Sequence, residues 1–128
     1  MAFVKDWMKK KLISTTMEET IENVAKAMRD YDITGLVVVD DDMQPIGMIT
    51  SRDLVIEVMA QGRSPQKTQV AHVMTSGRLI TAREYSTMEE AARLMVEHNM
   101  KRLPVINEFG RLVGIISQSD MNRYIAQQ

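Results

Sequence analysis

The sequence predicts an α+β fold made of two copies of one β-α-β-β-α unit. Gly47-Met-Ile-Thr-Ser-Arg-Asp53 returns as Gly114-Ile-Ile-Ser-Gln-Ser-Asp120, an offset of 67 that carries Ile49 onto Ile116, Thr50 onto Ser117 and Asp53 onto Asp120. Such a return marks an internal duplication. Ile21, Val24, Ala25 and Met28 fall at i, i+3, i+4 and i+7, and Met88, Ala91, Ala92 and Met95 repeat the spacing, so each copy holds a one-sided helix. Leu36-Val-Val-Val-Asp40 and Leu103-Pro-Val-Ile-Asn107 are apolar runs that pass through polar turns into a second strand. Each copy therefore holds a hairpin as well.

Val4-Lys-Asp-Trp-Met8 reads as a short amphipathic turn, answered by Val70-Ala-His-Val-Met74 at an offset of 66. Lys9-Lys10-Lys11 reads as a solvated helix C-terminus favoured by the dipole. Leu12 to Ser14 and Leu79 to Thr81 are expected as short strands that leave the apolar run on the small residues Thr15 and Ala82. Thr20 and Thr87 open the one-sided helices; Thr87-Met-Glu-Glu90 is a capping box, and Asn23 weakens the first version. A Gly and two apolar residues at 47–49 and 114–116 suit a buried strand whose backbone something approaches closely. Thr50 and Ser117 then cap closing helices over Leu54–Met59 and Met121–Ile125. Copy one is expected to span 1–60 and copy two 70–128, joined by a polar Gly/Pro linker over 61–69.

A chain of 128 residues with 45% apolar residues is the size of one domain with a real core. The formal net charge of −1 supplies no general field for nucleic acid or an anionic membrane. With no Cys there are no disulfides, thiolate metal sites or Cys nucleophiles, and the N-terminus meets charge before a signal-peptide core forms. No apolar run is long enough to span a bilayer, so a cytoplasmic protein is expected. The twelve Met residues read as adaptable core filling.

Raw materials for catalysis are sparse. The two His residues, His72 and His98, lack metal-ligand spacing, and Asp40-Asp41-Asp42 reads as an ordinary hairpin turn. Neither a phosphate-binding Gly-Lys loop nor a dinucleotide Gly-rich turn occurs. The expectation is no enzyme, no metal and no cofactor beyond a regulatory ligand. Binding is better supplied: each strand-to-helix junction pairs a hydroxyl with an Asp, and a carboxylate accepts two hydrogen bonds from a vicinal diol such as a ribose. Lys101, Arg102 and Arg52 stand near these junctions as cations for a phosphate.

The order of strand, Thr-initiated helix, Lys-Arg-Leu-Pro-Val-Ile hairpin and Gly-Ile-Ile-Ser-Gln-Ser-Asp resembles the cystathionine β-synthase (CBS) domain, and its two copies resemble a CBS pair, or Bateman module. The resemblance implies two pseudo-twofold related motifs packed through their sheets, with clefts between them for AMP, ADP, ATP or S-adenosylmethionine. It implies that Asp53 and Asp120 hold a ribose, with Thr50, Ser117 and Ser119 near ribose or phosphate. Ile13, Ser14 and Thr15, and Ile80, Thr81 and Ala82, would line the base. Lys101, Arg102 and Arg52 would face phosphate, and Leu36, Val37, Leu103 and Pro104 would form apolar walls. Gly35 stands where copy two has Arg102, and Val37 where it has Pro104, so unequal sites are expected, with Asp120 ahead of Asp53. The implied partners are an adenosine-containing small molecule, a second copy in a homodimer, and a separate effector protein. Two rivals stay open: a ligand-free dimerisation module, and a nucleic-acid binder using Lys5, Lys9, Lys10 and Lys11, which near-neutral charge ranks low.

Overall fold

The computed structural model describes residues 1–10, 14–76 and 79–128. Two compact units emerge, Ile13–Leu79 and the combination of Met1–Leu12 with Ile80–Gln128. Each unit thus combines the body of one sequence repeat with the opening of the other. The α+β expectation holds.

In the first unit, β1 (Ser14–Thr15) runs parallel to β2 (Gly35–Val39), which is antiparallel to β3 (Pro45–Thr50). Helix α2 (Ile21–Tyr31) buries Ile21, Val24 and Met28 against Leu36, Val38 and Ile49, the core-facing side of the sheet. Its cap has the half that Thr20 can supply, and the weakness expected from Asn23 is made good from before the cap. Thr20 Oγ1 accepts from the Asn23 N–H, and Glu19 takes the reciprocal role, accepting from the Thr20 N–H at 2.9 Å and from Asn23 Nδ2 at 2.8 Å. These two bonds hold the Glu19 carboxyl below its usual range. The closing helix starts as α3 (Ser51–Asp53) and continues as a π-helical run, Leu54–Met59.

The second unit repeats the plan. Strand β4 (Ala82–Arg83) is parallel to β5 (Arg102–Ile106), itself antiparallel to β6 (Leu112–Ser117). Helix α4 (Met88–Glu97) buries Met88, Ala91 and Met95 against Leu103, Val105 and Ile116, and α5 (Gln118–Ala126) closes the unit. Of the capping box expected at Thr87, only half forms: Thr87 Oγ1 accepts from the Glu90 N–H at 3.1 Å, without a return bond from Glu90 among the described residues.

The strand expected over Leu79–Thr81 is absent; pairing starts at Ala82. In copy one Ser14 pairs with Val37, and the equivalent partner of Thr81 is Pro104. Alternate residues of β5 present their backbone to β4. Ile106, whose carbonyl accepts from the Glu84 N–H at 3.3 Å, shares that side with Pro104. Proline has no N–H to offer there, so the ladder begins one residue later. Of the matching expectation at Leu12–Ser14, Leu12 and Ile13 lie outside the described residues, and Ser14 opens β1.

The openings dock by one pattern. Helix α1 (Val4–Trp7) donates from Val4 N to Ser86 O and from Lys5 N to Glu84 O; the 3₁₀ turn Val70–His72 donates from Val70 N to Glu19 O and from Ala71 N to Met17 O. Each opening then adds a two-bond bridge to the outer edge of its sheet, Lys9 with Ile115 and Thr75 with Met48. This pairing covers an edge that would otherwise present free backbone groups. It also identifies what approaches the two strand glycines: the chain itself. A Cβ on Gly47 would stand 2.7 Å from the Thr75 carbonyl oxygen, and one on Gly114 would stand 2.5 Å from Met8 Sδ and 3.0 Å from the Lys9 carbonyl.

Overpacking a filled site costs about 1–3 kcal/mol. Gly47→Ala collides with backbone, whereas Gly114→Ala mainly displaces a flexible methionine end, so chemical denaturation is expected to place Gly47→Ala near about 3 kcal/mol and Gly114→Ala near about 1. Equal or reversed losses would contradict this account of the two edges.

Candidate functional site

Each antiparallel pair ends at the same junction. Thr50 lies opposite Gly35 and Ser117 opposite Arg102, and the next N–H turns back onto the neighbouring strand's entry: Ser51 N donates to Thr34 O, and Gln118 N to Lys101 O. There the chain must turn from strand into helix with its first amides unsatisfied. Both copies solve this with a capping box that uses Asp rather than Glu. Thr50 Oγ1 accepts from the Asp53 N–H at 3.3 Å, while Asp53 Oδ2 accepts from the Thr50 N–H at 2.8 Å and its hydroxyl at 3.0 Å. Ser117 and Asp120 repeat the three bonds at 3.2, 2.9 and 2.8 Å.

This geometry divides each carboxylate into two oxygens with different duties. Oδ2 is committed to the fold. In copy one Oδ1 has no hydrogen-bond partner among the described residues, and Asp53 is only half-buried. In copy two Oδ1 accepts from Arg123 Nη2, one turn along α5, and the Asp120 side chain is 0% exposed. The place equivalent to Arg123 in copy one is Ile56. The two junctions are therefore alike in fold and unlike in available acceptor.

The other sequence-predicted residues divide by unit. Ser14, Thr15, Leu36, Val37, Thr50, Arg52 and Asp53 all belong to the first unit. Ile80, Thr81, Ala82, Lys101, Arg102, Leu103, Pro104, Ser117, Ser119 and Asp120 all belong to the second; Ile13 lies outside the described residues. Arg52, Lys101 and Ser119 are exposed, and Arg102 is half-buried. Ser119 Oγ lies 3.2 Å from Ser117 Oγ. Thr15 and Ala82 are buried, whereas Ser14, Ile80 and Thr81 keep partial exposure. Leu36 and Leu103 sit in the two hydrophobic cores. Because side chains alternate across a strand, Val37 and Pro104 face the opposite side of their sheets from these leucines, and both are buried.

Arg123 escaped the sequence reading. Its signal was present as a cation three residues after Asp120 on a helix, the spacing at which side chains meet. Elsewhere, an open cavity of about 650 Å³ lies by the hairpin turn of the second unit, lined by Arg83, Glu84, Tyr85, Glu90, Asn107 and Phe109 among others. No sequence-predicted site residue lines it. Among the described residues no group of three or more His, Asp or Glu side chains could hold a metal ion, and no helix is long and apolar enough to cross a membrane.

A family model described as CBS domain matches residues 4–60 and 70–127. An uncharacterized protein of Methanopyrus kandleri is 37% identical over 110 residues, covering 86% of this chain; the chain spans 56% of that relative's length. Three solved structures are similar throughout. Hypoxic Response Protein I with two coordinated zinc ions gives a TM-score of 0.86 at 31% identity, covering 96% of this chain and 98% of its own. The CBS domain pair of protein MJ0100, in complex with 5′-methylthioadenosine and S-adenosyl-L-methionine, gives 0.86 at 29% identity, covering 99% and 98%. CBSX2, an Arabidopsis thaliana protein, in complex with AMP gives 0.82 at 26% identity, covering 99% and 98%.

Proposed function

The chain belongs to the CBS domain family, with one copy matched over 4–60 and a second over 70–127, and from that premise we propose that it is a regulatory module that binds an adenosine-containing ligand and performs no catalysis. The observation that carries the reading is the divided carboxylate. A capping box spends one oxygen of Asp53 on the fold and leaves the other as a fixed, charged acceptor at the end of a strand. A ribose presents two adjacent hydroxyl donors that suit such an acceptor. Similar chains have been solved with AMP and with S-adenosyl-L-methionine and 5′-methylthioadenosine, all of which carry that ribose.

In this reading Thr50 and Asp53 take the ribose, Ser14 and Thr15 border the base, Val37 forms a wall and Arg52 faces the phosphate. Ser117, Ser119 and Asp120 form the second junction, with Thr81, Pro104, Lys101 and Arg102 around it. Asp53 takes precedence, which reverses the order expected from sequence: Lys101, Arg102 and Pro104 enrich the surroundings of copy two, but the acceptor they would serve is already engaged by Arg123. The signal passes to a second copy or to a separate effector protein. For the former, the closing run of copy one exposes Val55, Ile56 and Met59, the last at 75%. Contiguous exposed apolar side chains of this kind mark association surfaces.

Calorimetry against AMP, ADP, ATP and S-adenosylmethionine tests the ligand. Asp53→Asn keeps an oxygen for the cap but turns the free acceptor toward a donor, so a loss of about tenfold to a hundredfold is expected, with a smaller loss for Asp120→Asn. Tight binding by wild type that neither substitution changes would overturn the ribose assignment. Sedimentation tests association: wild type is expected to dimerise at micromolar concentration and Met59→Lys to shift toward monomer, while a wild-type monomer with and without AMP would contradict it.

A further inference from the structure

The duplicated junctions invite a comparison of the first helical turn beyond each aspartate. Copy two places Arg123 there and copy one places Ile56. Arg123 Nη2 donates to Asp120 Oδ1, and Ser117 donates to Oδ2 through both its N–H and its hydroxyl. The three hydrogen bonds that the Asp120 carboxylate accepts therefore all come from within three residues of it, and its side chain has no exposed surface. Asp53, with the same cap, keeps Oδ1 uncommitted among the described residues.

We propose that Arg123 is an internal competitor for the second junction, so that Asp120 accepts a ribose only after Arg123 leaves it. The inference rests on the ribose reading above and adds a residue and an order of filling to it. Arg123 is suited to the part. Its side chain is 54% exposed, so it can swing into solvent without breaking a core, and its guanidinium matches a carboxylate in charge and hydrogen-bonding geometry. The same release would free a cation for a ligand's phosphate, beside Lys101 and Arg102. A ligand without phosphate must displace Arg123 unaided, whereas a phosphorylated one supplies the arginine with a new partner. The second junction thereby favours phosphorylated ligands over bare nucleosides by this displacement, whereas the first, with Ile56 in place of Arg123, has only Arg52 to favour a phosphate.

Adenosine is the probe that isolates the competition, because it has the ribose and no phosphate contact to lose. Its affinity is measured by calorimetry on wild type, Asp53→Asn and the double variant Asp53→Asn/Arg123→Ala, each checked by thermal melting. Asp53→Asn leaves the second junction alone and is expected to bind weakly. Removing Arg123 is expected to tighten that binding about tenfold, the lower end for a charged hydrogen bond because solvent screens the half-exposed arginine. Should the alanine variant fail to fold, Arg123→Gln keeps the stem and removes the charge, and the same direction is expected. Binding by wild type with no gain on removing Arg123 overturns the competitor role alone. Failure of wild type and every variant to bind adenosine, AMP or S-adenosylmethionine overturns the ribose reading and this inference together.

Discussion

The hydroxyl–aspartate capping box at the end of each hairpin is the interaction on which the rest of the structure turns. A strand that becomes a helix without an intervening loop has helical amides to satisfy and little chain with which to do it. Thr50 with Asp53, and Ser117 with Asp120, satisfy one amide on each side of the turn with one hydroxyl and one carboxylate oxygen. The arrangement orients the carboxylate as a consequence of folding. Whatever the second oxygen does, it does from a fixed position, and preorganised acceptors bind at lower entropic cost than mobile ones. Structural and binding readings of these aspartates are therefore complementary, one for each oxygen.

A second constraint is the exchange of openings between repeats. The pieces that complete each sheet edge, around Lys9 and Thr75, come from the segment preceding the other repeat's body. Gly47 and Gly114 are held to glycine by this docking, since a Cβ at either place meets the incoming segment at 2.7 or 2.5 Å. The duplication is thus not two independent modules in series; neither repeat, taken as a stretch of sequence, contains all of one compact unit.

Much of this was legible in the residues. The offset of 67 located both junctions, the i, i+3, i+4, i+7 spacing located α2 and α4, and the β-branched runs located both hairpins, because each signal is local and its physical meaning does not depend on distant chain. The failures share the opposite property. Starting β4 at Leu79 took Pro104 in place of Val37 as a difference between sites and not as a missing N–H in the partner strand, a fact about pairing rather than about the strand itself. The order of Asp120 ahead of Asp53 is a separate matter: it rests on Lys101 and Arg102, and the proposed reversal starts from Arg123, whose bond to Asp120 depends on which way one helical side chain turns. Reading the cap at Thr20 as a box weakened by Asn23 missed Glu19, which supplies the acceptor from before the cap instead of after it. Sequence showed which groups were present at the site; only the fold showed which were already spoken for.

The central claim is that the two aspartates, equal in sequence and in capping, differ in the oxygen left for a ligand. Backbone amide resonances of the full chain, followed by NMR while AMP is added up to one equivalent, test it most directly. The account predicts that Thr50, Ser51 and Asp53 shift first while Ser117, Asp120 and Arg123 hold until AMP is in excess. Early movement of Ser117 and Asp120 with Asp53 unchanged would contradict it.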